Sequence, residues 1–128
     1  MCISLKEEHY STILGSLLDE PGLIPAPALV EFRRVVWRRD QPIRAAGEAL
    51  LQELLAGGMK IEGFRPEDAR AAKRADERYG SGNGQGGKLN LLDVMVYAVA
   101  KRLELPILCT GKDFAATDAD IHPASRRW

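Results

Sequence analysis

The stretch that decides the fold is Leu89-Asn90-Leu91-Leu92-Asp93-Val94-Met95-Val96-Tyr97-Ala98-Val99-Ala100-Lys101, between a glycine-rich segment and a short apolar run. Apolar residues recur along it at steps of three and four, which is typical of one face of a helix. The residues on this apolar face are Leu92, Met95, Val96, Val99 and Leu103. The stretch therefore predicts a helix whose apolar face is buried.

Asn90 and Asp93 allow two interpretations of the start of this helix. Asn90 is a favourable N-cap residue, and a carboxylate three residues later lies against the positive end of the helix dipole. In the first interpretation Asp93 only stabilises the first turn of a buried helix. In the second its carboxylate points from the helix start into a cleft. The spacing alone favours the first.

Outside this stretch, helical and strand-like segments alternate along the chain. Helical periodicity predicts helices over 6–18, 28–39, 43–56 and 65–79, and short apolar or alternating runs predict strands at 23–24, 59–64 and 105–109. Alternation of this kind favours an α/β layer fold with a small parallel sheet. In the helix over 65–79, the alanines expected to face the core are Ala69, Ala72 and Ala75.

Length and composition predict one soluble domain over residues 1–128. The 128 residues are 45% hydrophobic and 28% charged, with a formal net charge of +0, so a broad electrostatic grip on nucleic acid is not indicated, although a local basic patch could serve. Cys2 and Cys109 have neither metal-ligand nor disulfide spacing. No apolar run is long enough to span a membrane, and Met1–Leu5 does not resemble a signal peptide, so a cytoplasmic protein is expected.

Acidic residues are the main candidates for chemistry, because no Ser-His-Asp or Cys-His arrangement stands out. The candidates are Glu31, Asp93, Asp113 and the pair Asp118 and Asp120. Ligands of parallel sheets bind beyond the carboxyl ends of the strands, and Asp113 follows the last predicted strand. Carboxylates meeting there from different elements would suit Mg²⁺ or Mn²⁺. With 18 acidic residues in the chain, however, some acidic cluster is expected by chance.

The glycine-rich segment Gly80–Gly87 is predicted to be a loop. It lacks the Gly-Lys-Ser/Thr ending of a phosphate-cradling loop, and no strand precedes it. A rim or lid over a cleft and a plain surface loop both remain open.

Several segments, in this order, resemble a PIN-domain protein, most closely the VapC-type toxin ribonucleases of bacterial toxin–antitoxin pairs. They are Leu29-Val30-Glu31-Phe32, Tyr79-Gly80 with the glycine-rich loop, Lys88-Leu89-Asn90-Leu91-Leu92-Asp93, Pro106-Ile107-Leu108, and Gly111-Lys112-Asp113-Phe114 with Thr117-Asp118. The resemblance covers nearly the whole chain. It implies a compact PIN-like three-layer α/β/α fold.

The resemblance also implies a function, which is Mg²⁺- or Mn²⁺-dependent endoribonuclease activity by metal-assisted phosphodiester hydrolysis. A small antitoxin would neutralise this toxin, and a homodimer is compatible with the family. Residue by residue, Glu31 matches the helix glutamate, Asp93 the acid of the organising helix and Asp113 the last acid, and Asp118 is a further candidate metal ligand. The candidates for contact with the RNA backbone are Arg33, Arg34, Arg38 and Lys88, although a solvated helix face is the favoured interpretation of the three arginines.

The beginning of the chain departs from the family pattern. Family members start with an apolar strand that ends in an aspartate, whereas here no aspartate precedes Asp19, and Leu92 replaces the usual glycine before Asp93. The first strand is therefore expected to be shortened or missing, with Met1–Leu5 as a short replacement. Two functional alternatives follow, an active ribonuclease or a catalytically impaired PIN-like binding protein. Without the resemblance, a generic α/β domain that binds a small ligand is a third.

Overall fold

A four-stranded parallel sheet forms the centre of the molecule in the computed structural model, which describes residues 2–3, 21–109, 112–123 and 125. The strands are β1 (Cys2–Ile3), β2 (Leu23–Pro25), β3 (Lys60–Glu62) and β4 (Ile107–Leu108), and their order is β3-β2-β1-β4. Strand β1 pairs with both β2 and β4, with Cys2 opposite Leu23 and Ile107. The first residues therefore supply a short central strand, as the sequence predicts.

Four helices connect these strands in the described part of the chain, and the arrangement is a three-layer α/β/α fold. They are α1 (Ala26–Trp37), α2 (Gln41–Ala56), α3 (Pro66–Tyr79) and α4 (Leu91–Leu103). All four lie within two residues of their predicted bounds. The predicted helix over 6–18 lies outside the described residues. None of the helices described is long and apolar enough to cross a membrane.

Proline marks the start of three of these helices. Pro27, Pro42 and Pro66 each lie in a first turn, where the missing N–H would have no intrahelical acceptor and the fixed φ already suits a helix. Each proline also disfavours helical backbone at the residue before it, so a helix tends to begin at the proline rather than to run through it. This is why the predicted boundaries agree closely with the structure.

Helix α4 is more deeply buried than its predicted apolar face indicates. It contacts α3, α1 and β1, so it is covered on more than one side. Val96 and Val99 of the predicted face are buried, whereas Leu92, Met95 and Leu103 are only half-buried. The buried residues of the helix are Asp93, Val94, Val96, Tyr97, Ala98, Val99 and Ala100. An apolar stripe identifies one buried face, but it does not show how many neighbours cover a central helix.

Helix α3 corrects one predicted core position. Ala72 and Ala75 are buried, but Ala69 is exposed, and Asp68 takes its place with 1% of its surface exposed. A repeated step of three falls short of the helical turn of about 3.6 residues, so successive alanines rotate around the helix. The observed steps of four and three, from Asp68 to Ala72 and then Ala75, keep to one face.

Candidate functional site

Asp93 lies in a capping box at the start of α4. The backbone N–H of Asp93 donates to Oδ1 of Asn90 at 2.8 Å, and the backbone N–H of Asn90 donates to Oδ2 of Asp93 at 3.0 Å. Asp93 is 1% exposed. The capping contact that the sequence predicts for Asn90 and Asp93 is therefore confirmed. Through Oδ2 the helix start also fixes the position of this buried carboxylate.

Glu31 lies beside the start of α4. It lines a groove of about 570 Å³ together with Asn90, Leu91 and Leu92, the three residues that precede Asp93. Its Oε2 is 3.8 Å from Nη1 of Arg34, one turn further along α1. The fold thus brings the glutamate of α1 to the helix start that carries Asp93, although the two are 62 positions apart in the sequence.

Asp113 lies in the loop after β4, as predicted, and this loop is held by its own contacts. Phe114 is buried in the core with 1% exposure. The hydroxyl of Thr117 donates to the carbonyl oxygen of Phe114 at 2.6 Å and accepts from the N–H of Ala119 at 3.1 Å. Asp113 lines a cleft of about 190 Å³ whose other wall includes Lys88.

Asp118, the other candidate ligand, is bound to α4 through both of its carboxylate oxygens. The hydroxyl of Tyr97 donates to Oδ1, and Nζ of Lys101 is 3.4 Å from Oδ2. The hydrogen bond from Tyr97 is the main cause that lowers the pKa of Asp118. Burial, followed by the neighbouring Asp118 carboxylate, raises the pKa of Tyr97. These contacts fasten the loop that carries Asp113 to the helix that carries Asp93.

The glycine-rich loop forms one wall of the cleft that Asp113 lines. Oδ1 of Asn83 accepts from the N–H groups of Gln85 and Gly87, at 2.8 Å and 3.2 Å. A Cβ at Gly87 would overlap the backbone oxygen of Gly80, so the two ends of the loop pass too close for a side chain. Of the two interpretations left open by the sequence, the structure favours a rim over a plain surface loop.

The predicted carboxylates do not form a complete metal site in the described part of the chain. Glu31 lines the groove beside the start of α4, whereas Asp113 lines the cleft beside the glycine-rich loop. Among the residues described, no three His, Cys, Asp or Glu side chains are close enough to hold a metal ion. Their oxygen donors suit Mg²⁺ or Mn²⁺, but the assignment of Glu31, Asp93, Asp113 and Asp118 as ligands stays a prediction.

The predicted basic residues divide between two surfaces. On α1, Nε of Arg33 is 3.9 Å from Glu48, and Arg34 pairs with Glu31. Arg38 is exposed at the end of the same helix. Lys88 instead lies in the cleft with Asp113, and a second cation that was not predicted, Arg78, lies there as well. Arg78 lies close to Lys88 because of the way the glycine-rich loop folds back on the end of α3. The spacing of residues in the sequence does not show this arrangement.

Comparison with known proteins identifies the class to which this fold belongs. Residues 3–120 match the PIN domain. The chain therefore belongs to the PIN-domain family, as the sequence motifs predict.

Its similarity to particular relatives places it among VapC-type proteins. It is 38% identical over 100 residues to ribonuclease VapC42 of Mycobacterium tuberculosis and to VapC ribonuclease Mb2780c of Mycobacterium bovis, covering 77% of this chain and 72% of each relative. It is 34% identical over 125 residues to ribonuclease VapC36 of Mycobacterium tuberculosis, covering 95% of this chain and 87% of the relative.

Proposed function

We propose that this protein is an endoribonuclease that acts as the toxin of a toxin–antitoxin pair. The observation that carries this proposal is the identity of 34–38%, over most of the chain, to proteins named VapC ribonucleases. The buried Asp93 at a helix start, the nearby Glu31 and the polar cleft with Asp113 are compatible with it. Its substrate is then RNA, and its partner is a small antitoxin protein in the cytoplasm.

We further propose that activity depends on Mg²⁺ or Mn²⁺, with Glu31, Asp93 and Asp113 as ligands. Such an ion polarises a phosphate and lowers the pKa of a bound water. Carboxylate oxygens are the donors that these hard ions prefer. The three residues come from α1, the start of α4 and the loop after β4, and among the described residues they are not close enough to hold one ion together. The proposal therefore requires these elements to approach one another when the ion binds.

The substitution Asp93→Asn tests this proposal. It retains an oxygen that can accept the N–H of Asn90, which keeps the cap, but it removes the negative charge that an ion requires. We expect cleavage of single-stranded RNA in Mn²⁺ to be lost and Mn²⁺ binding, measured by calorimetry, to weaken at least tenfold, while the melting temperature changes little.

Asp40→Asn is the matched control, because Asp40 is an exposed aspartate at the start of another helix, α2, where its side chain makes no capping hydrogen bond. It should retain both cleavage and Mn²⁺ binding. Cleavage by Asp93→Asn at the wild-type rate would contradict the role of Asp93. If the wild-type protein binds its antitoxin but cleaves no RNA with or without Mn²⁺, the alternative function, a catalytically impaired binding protein, would be supported instead.

A further inference from the structure

We propose that Arg78 and Lys88 together hold a phosphate group of the RNA backbone in the cleft that Asp113 lines. In this proposal that cleft, rather than the basic face of α1, makes the main electrostatic contact with RNA. The proposal rests on the proposed ribonuclease function, because it names where the substrate of that function binds.

The two cations reach the cleft from opposite ends of the glycine-rich loop. Arg78 lies in the last turn of α3, and Lys88 follows the loop directly. The N–H of Ser81 donates to the carbonyl of Leu89 at 2.7 Å, and the N–H of Leu89 donates to the carbonyl of Tyr79 at 3.0 Å. These bonds close the base of the loop and therefore bring both cations to the same cleft, ten positions apart in the sequence.

The charges of both residues remain available to a ligand. Within the part of the chain that the structure describes, neither Arg78 nor Lys88 forms a close salt bridge, although the charge of Arg78 contributes to lowering the pKa of Asp118. The guanidinium of Arg78 lies 4.8 Å from the centre of the Tyr79 ring, which orients it without neutralising it. The lining of the cleft contains two cations, Arg78 and Lys88, and one carboxylate, Asp113, while Asp118 interacts with Arg78 from outside the lining.

The size and polarity of the cleft also fit a phosphate. Its volume is about 190 Å³, below the range of about 300–1,000 Å³ that is typical of pockets for drug-sized ligands. Its lining is mostly polar and includes Gln85, Gly86 and Gly87 beside Thr117. A single phosphate, bound by charge and hydrogen bonds rather than by apolar burial, is the part of RNA that matches such a cleft.

The basic face of α1 is less suited to this role. Arg33 and Arg34 are already within 3.9 Å and 3.8 Å of Glu48 and Glu31, so a phosphate would compete with a carboxylate for each. The groove that these arginines line is mostly apolar and includes the exposed side chains of Val30 and Trp37. Such a surface does not provide the polar surroundings of a phosphate site.

The test is RNA binding by fluorescence anisotropy in EDTA, where a labelled single-stranded RNA is not cleaved by a metal-dependent enzyme. We expect Arg78→Ala and Lys88→Ala each to weaken binding by roughly threefold to tenfold. The double variant should also lower the magnitude of the slope of log affinity against log salt by about 0.7, the value for one lost phosphate contact to single-stranded nucleic acid. Because both residues hold one phosphate, the double variant should lose less than the sum of the single losses.

Arg74→Ala is the matched control, since Arg74 is an exposed arginine on α3 outside the cleft. Its affinity and salt slope should stay within twofold of wild type, and Arg33→Ala should weaken binding less than Arg78→Ala. Equal effects of Arg74→Ala and Arg78→Ala, a larger effect of Arg33→Ala, or no binding by the wild-type protein would each overturn the proposal. RNA that binds through Arg78 and Lys88 but is never cleaved in Mn²⁺ would support the phosphate site while contradicting the ribonuclease function.

Discussion

Single residues show which polar contacts the sequence can predict. The capping contact between Asn90 and Asp93 spans three positions and follows from their spacing and residue types. The buried pair of Asp68 and Arg102 spans 34 positions: Nε and Nη2 of Arg102 donate to Asp68 at 2.8 Å and 3.0 Å. Arg102 also donates to Glu62 at 3.0 Å. Only the packing of α3 against α4 brings this pair together, so local spacing cannot reveal it.

Asp68 should make the free energy of unfolding depend on pH. Burial raises the pKa of Asp68, but the hydrogen bonds and charges of Arg102 and Arg65 outweigh it, and the net pKa is lowered. A carboxylate with a lowered folded-state pKa contributes stability above its unfolded pKa of about 3.9, and this contribution is lost as the pH falls through the folded pKa.

We therefore expect Asp68→Asn to destabilise the protein by about 1.5–3 kcal/mol at pH 7, because it weakens the charged hydrogen bonds with Arg102, which keeps Glu62 as a second partner. Urea unfolding at pH 7 and at pH 3 measures the change, and the difference between variant and wild type should shrink at pH 3. Glu67→Gln is the control, since Glu67 is half-exposed and pairs with Arg65 only at 3.8 Å. Equal losses in the two variants would contradict a special role for the buried pair.

The bounds of the helices are the feature of this structure that the sequence predicts best. The prolines that begin α1, α2 and α3 and the glycines that follow α2 and α3 are visible in the sequence, and the apolar face of α1 follows the helical period. What the sequence does not show is how closely two helices approach. A Cβ at Gly47 of α2 would lie 2.9 Å from Cγ1 of Val36 on α1, and Val36 is 2% exposed. Gly47 therefore sets the distance between the two helices.

The substitution Gly47→Ala has two opposing effects on the stability of the protein, a gain in helix propensity and a steric clash. Alanine is favoured over glycine in a helix interior by about 1 kcal/mol. Overpacking of a core costs about 1–3 kcal/mol, and the stiff β-branched side chain of Val36 cannot easily move aside. We expect the clash to prevail, with a lower melting temperature. The double variant with Val36→Ala should be less destabilised than the sum of its two single variants, and strict additivity would show that the contact is not limiting.

At the scale of the whole molecule, the sequence and its motifs indicate the α/β class, the parallel sheet and the family. They also identify Glu31, Asp93 and Asp113 as candidate site residues. The sequence does not show that Glu31 lies by the start of α4, or that Asp113 and Lys88 share a cleft with Arg78. Those placements depend on the order of the strands, in which a two-residue segment at the beginning of the chain becomes the central strand beside β2 and β4.

Because of this topology, the two-residue strand β1 is expected to contribute strongly to the stability of the fold. Ile3 has no exposed surface and lies in a strand that pairs on both sides, whereas Ile61 is 48% exposed on the edge strand β3. Ile3→Ala should therefore cost about 2–5 kcal/mol, the usual range for a large aliphatic side chain removed from a core. Against a typical total of about 5–15 kcal/mol, that loss would leave the fold marginal.

Ile61→Ala, the same substitution at the sheet edge, should cost less than about 1 kcal/mol because little apolar surface returns to water. Urea unfolding followed by circular dichroism compares the two variants directly. Since β1 joins the β2–β3 half of the sheet to β4, loss of packing at Ile3 should also displace the loop that carries Asp113. We therefore expect Ile3→Ala to weaken RNA binding in EDTA, whereas Ile61→Ala should leave it unchanged. Equal free-energy losses in the two variants would show that the central position of β1 does not determine the stability of the sheet.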